Sequence, residues 1–216
     1  VEASLTIESG TIITTANRAE NNNPLSGAVY VTSNGTLNIN GGSVTANGNG
    51  KYGLCARGTI NMSRGNFDII GNGIIAVDHE PNSNFTLAGG TITIKSPTGH
   101  TGLSTKGNLT INGGRMDVNI LEIVKDTTMT VEGGILETGG IKIGDNGRLI
   151  NKGELIANGN FEGNGTIENT GTISGSGNVP DGVRRNPGNV GIKNSTLERN
   201  YSEEKIDVQS TAGVTA

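Results

Sequence analysis

Apolar and polar residues alternate in short bursts along this chain, and each burst is cut by a glycine turn. The clearest copies read Leu37-Asn-Ile-Asn-Gly-Gly-Ser-Val44, Phe85-Thr-Leu-Ala-Gly-Gly-Thr-Ile92 and Leu109-Thr-Ile-Asn-Gly-Gly-Arg-Met116. Further copies start at Leu5, Ile60 and Met129, and slightly shortened ones at Leu149 and Ile167, with starts 32, 23, 25, 24, 20, 20 and 18 residues apart. Alternation with a period of two is the signature of a half-buried strand. Repeats of this length made from strands alone predict a stacked solenoid, in which each coil buries its apolar face against its neighbours.

Reading the repeats as columns sharpens the prediction. The first apolar column is Leu5, Leu37, Ile60, Phe85, Leu109, Met129, Leu149 and Ile167. Two residues on come Ile7, Ile39, Met62, Leu87, Ile111 and Val131, then Asn151 and Asn169. The residues between them, Thr6, Asn38, Asn61, Thr86, Thr110, Thr130, Ile150 and Glu168, face outward. A glycine follows at the corner: Gly10, Gly42, Gly65, Gly90, Gly114 and Gly134, then Gly153 and Gly171 after the loss of one residue. Such a corner calls for a positive φ or a tight bend, both of which penalise a Cβ. A second strand then opens its inward column with Ile12, Val44, Phe67, Ile92, Met116, Leu136, Leu155 and Ile173.

A third strand is aligned from its downstream end. Val31, Leu54, Leu103, Ile123, Ile143 and Phe161 each stand three residues before a turn position, held by Asn34, Arg57, Lys106, Asp126, Asn146 and Asn164. Between Leu54 and Leu103, Ile75 takes the inward place and residues 78–83 form an inserted loop. Three strands per coil give an all-β fold, a single-stranded parallel β-helix of about eight coils over residues 1–177, tapering towards the C-terminus. The absence of 3.6-residue periodicity excludes helical solenoids. Residues 178–216 break the repeat and hold 10 charged side chains in 39, against 26 in the preceding 177. They read as a cap, a linker or the start of a following domain, and the alternation over 205–216 suits a strand covering the last rung.

Composition agrees with a narrow stack. The chain is 32% hydrophobic and 3% aromatic, with 36 Gly and no Trp; a thin inward column needs few large side chains. Net charge is -4, which argues against nucleic acid or an anionic membrane as partner. No apolar run approaches membrane-spanning length, so membrane insertion is not expected. The chain opens directly in repeat-like sequence, as expected of a processed product or an excised fragment of a larger multidomain chain. The single Cys55 has no His or Cys at ligand spacing and reads as a poorly exposed thiol.

The φ-Thr-φ-x-Gly-Gly-x-φ coil resembles the right-handed parallel β-helix (pectate-lyase-like) modules of large secreted or wall-attached bacterial proteins, particularly Gram-positive ones. The resemblance spans residues 1–177. It implies a secreted, cell-surface or cell-wall location, and a coil that serves lyases, glycan-binding modules and inert stalks alike. The Asp-rich turns with which polysaccharide-binding members hold calcium are missing here.

Candidate chemistry is sparse. Asp78 and Glu80 form the densest acidic pair before the tail, with His79 between them; a solvated loop accounts for them. Glu122 and Lys142, on neighbouring third strands, suit a surface ion pair. Arg57 and Lys106 share the turn column with Asp126, separated by the Asn82 coil. Together with the outward strip of Asn38, Asn61, Thr86, Thr110 and Thr130, they are the residues placed for ligand contact. No catalytic residue, metal site or cofactor is assigned. A non-enzymatic surface module, stalk or adhesin, is the expectation that asks least of the residues. The alternative is a β-helix that binds a polysaccharide through the Thr/Asn face or the loops around 20–23 and 78–82; a polysaccharide lyase comes third. Partners are accordingly a polysaccharide or a host or cell-surface protein.

Overall fold

The computed structural model describes residues 1–16, 27–49 and 52–177, with backbone alone at Arg184–Arg185, Asn189–Val190 and Arg199–Asn200. Strands repeat in threes along the chain, and each pairs with the equivalent strand one coil on, so three parallel sheets wrap one core. The first sheet has nine strands, the second ten and the third seven. Among the described residues this makes seven complete coils and an eighth of two strands, Thr166–Asn169 and Thr172–Ser174, rather than eight full ones. Arg184–Arg185 and Asn189–Val190 add one more parallel rung to the first and second sheets, and Arg199–Asn200 pairs antiparallel beyond it. The strand predicted over 205–216 lies outside the described residues. There is no helix among the described residues, and so none long and apolar enough to cross a membrane.

In the first sheet the register follows the apolar columns residue for residue. Leu37 pairs with Leu5 and Ile60, and the series continues through Phe85, Leu109, Met129 and Leu149 to Ile167. Side chains of this column from Leu37 onward are sealed from water; Leu5, on the open first rung, is 42% exposed. The second sheet holds Val44, Phe67, Ile92, Met116, Leu136, Leu155 and Ile173 in one buried column. Asn151 and Asn169 continue the Val131 column inward at full burial, and Asn151 Nδ2 donates to Asn169 Oδ1 at 2.6 Å and to the Thr172 carbonyl at 3.1 Å. An inward amide is tolerated only when it finds such partners.

The corners work as the repeat requires. Gly10, Gly42, Gly65, Gly90, Gly114 and Gly134 all have positive φ, between 71 and 90°, and a Cβ on Gly42 would collide with the Gly10 carbonyl oxygen. That carbonyl accepts from Ser43 N at 2.8 Å, and Gly42 O in turn accepts from Asn66 N at 3.0 Å, so the corners are stitched coil to coil. Gly153 and Gly171 are not among the positive-φ residues. They are glycine because the corner of the preceding coil is too close for a Cβ.

The third sheet departs from the alignment made on its turns. Two inward columns exist: Val29, Leu54, Val77, Leu103, Leu121, Ile141 and Phe161, then Val31, Ala56, His79, Thr105, Ile123, Ile143 and Gly163. The proposed single column mixed the two because the turn back to the first sheet has two lengths. From Val31 to Leu37 it takes six residue steps, from Ala56 to Ile60 only four. The long turns place Asn82, Asp126 and Asn146 at φ of 64, 59 and 56°; the short ones use Arg57-Gly58, Lys106-Gly107 and Asn164-Gly165. Val77 and His79, not Ile75, take the inward places of the third coil, and Ile75–His79 is a strand, so only residues 80–83 form a turn.

Candidate functional site

Two surfaces collect the residues named for ligand contact. The first is the outer face of the first sheet. Asn38, Asn61, Thr86, Thr110 and Thr130 stand in one ladder, and beside them Thr36, Thr59, Asn84, Asn108 and Thr128 form a second. Over coils two to six these two ladders carry no charge. The asparagines of the two ladders bond between rungs: Asn61 Nδ2 donates to Asn38 Oδ1 at 2.9 Å, Asn38 Nδ2 to Thr6 Oγ1 at 3.4 Å, and Asn108 Nδ2 to Asn84 Oδ1 at 3.1 Å. The next ladder repeats the arrangement, with Asn40 Nδ2 on Glu8 Oε1 at 2.9 Å and Ser63 Oγ on Asn40 Oδ1 at 3.1 Å.

The second surface is the outer face of the third sheet, where Tyr30, Cys55, Asp78, Ser104, Glu122, Lys142 and Glu162 form one outward column. Flanking it at the turn, Arg57, Glu80 and Lys106 follow on successive rungs, since Glu80 N bonds Ala56 O and Lys106 N bonds His79 O. Glu80 therefore separates Arg57 from Lys106, where Asn82 was expected, and Asp126 stands outside this column. Lys106 Nζ donates to Asp78 Oδ1 at 2.8 Å and lies 3.8 Å from Glu80 Oε2. The guanidinium of Arg57 sits over the Tyr30 ring, 5.8 Å from its centroid, a cation–π distance.

Asp78 and His79 are buried, 5% and 0% exposed, which overturns the solvated-loop reading. The two point apart as strand alternation requires. Asp78 faces outward under Tyr52 and Lys106. His79 faces the core, with Nδ1 2.8 Å from Thr105 Oγ1 and its ring edge-on to Phe85 at 6.0 Å. Burial pushes the His79 imidazole down to about 4, against an opposing pull from Asp78. Burial, reinforced by the Asp78 carboxylate and a hydrogen bond to it, pushes the Tyr52 hydroxyl up to about 12. Cys55 is fully buried and free, and burial followed by the charge of Asp78 raises its thiol to about 11; it is no nucleophile at neutral pH. Burial lowers the Lys106 ammonium, but the hydrogen bond and charge of Asp78 outweigh it and the net shift is upward. Asp78 thus favours the charged form of Lys106.

Glu122 and Lys142 do stand on adjacent rungs, yet Lys142 leans the other way, 3.9 Å from Glu162. His100 is used locally, with Nδ1 3.1 Å from the Gly73 carbonyl oxygen. Among the described residues no three His, Cys, Asp or Glu side chains gather closely enough to hold a metal ion. The loop around residues 20–23 lies outside the described residues. Neither tyrosine was singled out from the sequence; Tyr30 falls beside Cys55 only once Leu54 is paired with Val29 instead of Val31. Comparison with protein-family models, with curated proteins and with solved structures finds no match to this chain.

Proposed function

We infer that this chain is a non-enzymatic segment of a secreted or cell-surface protein, serving as a rigid stalk or an adhesin module. One observation carries the reading: polar and charged groups on successive coils are spent on one another. Lys152 Nζ meets Glu132 Oε1 at 2.8 Å, Arg148 pairs with Glu168, Arg115 with Glu137, and Asn158 Nδ2 donates to Glu137 Oε1 at 2.9 Å. Each such pair joins one rung to the next. Singly they are worth at most about 1 kcal/mol, but repeated along the stack they stiffen it. A general acid or base needs a titratable group held free near a reacting atom; Asp78 and Lys106 are held by each other.

The pectate-lyase-like resemblance of the coil supports the extracellular part of this reading. A second reading, polysaccharide binding, is favoured by the charge-free Thr/Asn face, which suits a long neutral ligand laid along the coils. Both are tested by incubating the purified chain with polyuronates, with and without calcium, beside a glycan array. No cleavage is expected; array signal alone selects the binding reading. Measurable cleavage that disappears in Lys106→Ala or Arg57→Ala contradicts the non-enzymatic reading.

A further inference from the structure

The outer side of the third sheet changes character in its last three rungs. Its strands shorten from the five residues of Thr101–Thr105 to the three of Leu121–Ile123, Ile141–Ile143 and Phe161–Gly163. At the N-terminal edge of these short strands lies a concavity of about 300 Å³. Leu121, Ile141 and Phe161 pair in register, so the residues just before them, Ile120, Gly140 and Asn160, form the next column. Leu121 N donates to the Gly140 carbonyl and Ile141 N to the Asn160 carbonyl, both at 2.9 Å. The hollow is the missing side chain in the middle of that column. Neither conformation nor packing demands glycine there. Gly140 is not among the positive-φ residues, and a Cβ on it would meet nothing nearer than the Asn160 carbonyl oxygen at 3.5 Å. A Cβ on its neighbours Gly139 or Gly159 would instead collide with backbone.

Unused hydrogen-bonding groups of balanced charge line the hollow. Asn160 is exposed, and its side-chain amide makes no hydrogen bond among the described residues. Lys142 and Glu162 stand 3.9 Å apart with side chains 45% and 60% exposed, and Ile120 adds an aliphatic wall. A sugar ring carries hydroxyls that need donors and acceptors side by side, together with an aliphatic face, and these four side chains supply both. A protein segment fits less well, because no aromatic or arginine anchor lines the hollow. Charge excludes a uronate: Glu122 and Glu162 bracket Lys142 on adjacent rungs, so a sugar carboxylate would meet two like charges for one cation. A second concavity, of about 340 Å³, lies at the other end of the same strands and shares Lys142 and Glu162 with the first. A chain of sugars can therefore run from one to the other. Both volumes fall at the lower end of ligand-sized sites, about 300–1,000 Å³.

We propose that the hollow at Gly140 is a subsite for one unit of a neutral polysaccharide, whose hydroxyls meet Asn160, Lys142 and Glu162 while Ile120 covers its aliphatic face. The inference rests on the polysaccharide-binding reading above and differs from it in place: the contact is a concave site on the third sheet instead of the Thr/Asn face. The whole purified chain is screened on an array of neutral and uronic oligosaccharides, and the best neutral ligand is titrated by calorimetry. Signal on neutral glycans is expected, with affinity about tenfold lower in Gly140→Val, which fills the hollow, and in Glu162→Ala. Neither change touches the core, so both variants should keep the Tm of the parent, and Thr93→Ser, on the second sheet, should bind as the parent does. Should Gly140→Val lower the Tm, Glu162→Ala decides alone. Affinity unchanged in Glu162→Ala and in a folded Gly140→Val would overturn the proposal. If that affinity were lost in Thr110→Lys instead, the ligand would return to the Thr/Asn face and the broader reading would survive. A silent array would remove both, and a preference for uronates would overturn the neutral site.

Discussion

His79 is a titratable side chain in a column otherwise filled by Val31, Ala56, Thr105, Ile123 and Ile143. Its Nδ1 has Thr105, but its Nε2 is buried without a partner, so a second proton would have nowhere to be solvated. The imidazole therefore titrates near 4 in the folded chain against 6.5 when unfolded. Between these values the unfolded state binds the extra proton, and stability falls as pH falls. From pH 7 to pH 4.5 this one residue should cost about 2–3 kcal/mol. Urea denaturation at the two pH values, compared between the parent and His79→Asn, measures it. An equal loss in both would place the acid sensitivity elsewhere. The neighbouring Asp78–Lys106 pair lies on the other face of the sheet and acts on His79 only through its opposing charges, secondary to burial.

Strands in this molecule are held by their counterparts one coil away, so a residue is understood only with its rung neighbours. Asn151 and Asn169 show this: each is an inward polar group made tolerable by the other. Asn151→Val alone should cost about 1–3 kcal/mol by leaving buried polar groups of the last coils short of partners. Adding Asn169→Val should recover at least half of that loss, since two apolar groups in register can pack as Val131 does. A double variant weaker than the single one in thermal denaturation would show the amides stabilise beyond mutual satisfaction. The same dependence explains what was legible from sequence. In the first two sheets the glycine corner stands two residues before the second apolar column in every coil, and both columns could be read directly. In the third sheet the return turn takes either of two lengths, so anchoring on the turn residues shifted Leu54, Leu103 and Phe161 by one inward place. Cys55 was legible as a poorly exposed thiol, but the burial of Asp78 and Ser104 on the same outward column was not. It comes from Tyr52, Lys106 and the adjoining rungs, which one strand's pattern does not contain.

At the scale of the whole stack, stability is a sum of coil and coil–coil terms, and nothing in the described coils calls for a metal to complete one. Chelation should therefore leave the Tm of the chain unchanged; a fall of several degrees on adding a chelator would reveal a calcium-dependent coil. Which of two adjacent residues points into the column fixes every face and ladder of the stack. That assignment is tested most directly in the middle of the stack, at Leu109 and Thr110. Leu109 is 1% exposed between Phe85 and Met129, while Thr110 lies outward between Thr86 and Thr130. Leu109→Asp puts an unpaired carboxylate into the apolar column and should cost several kcal/mol, enough to lower the denaturation midpoint sharply or prevent folding. Thr110→Asp should change stability by about 0.5 kcal/mol or less. Comparable losses in the two variants, or a larger loss for Thr110→Asp, would contradict the register on which the account stands.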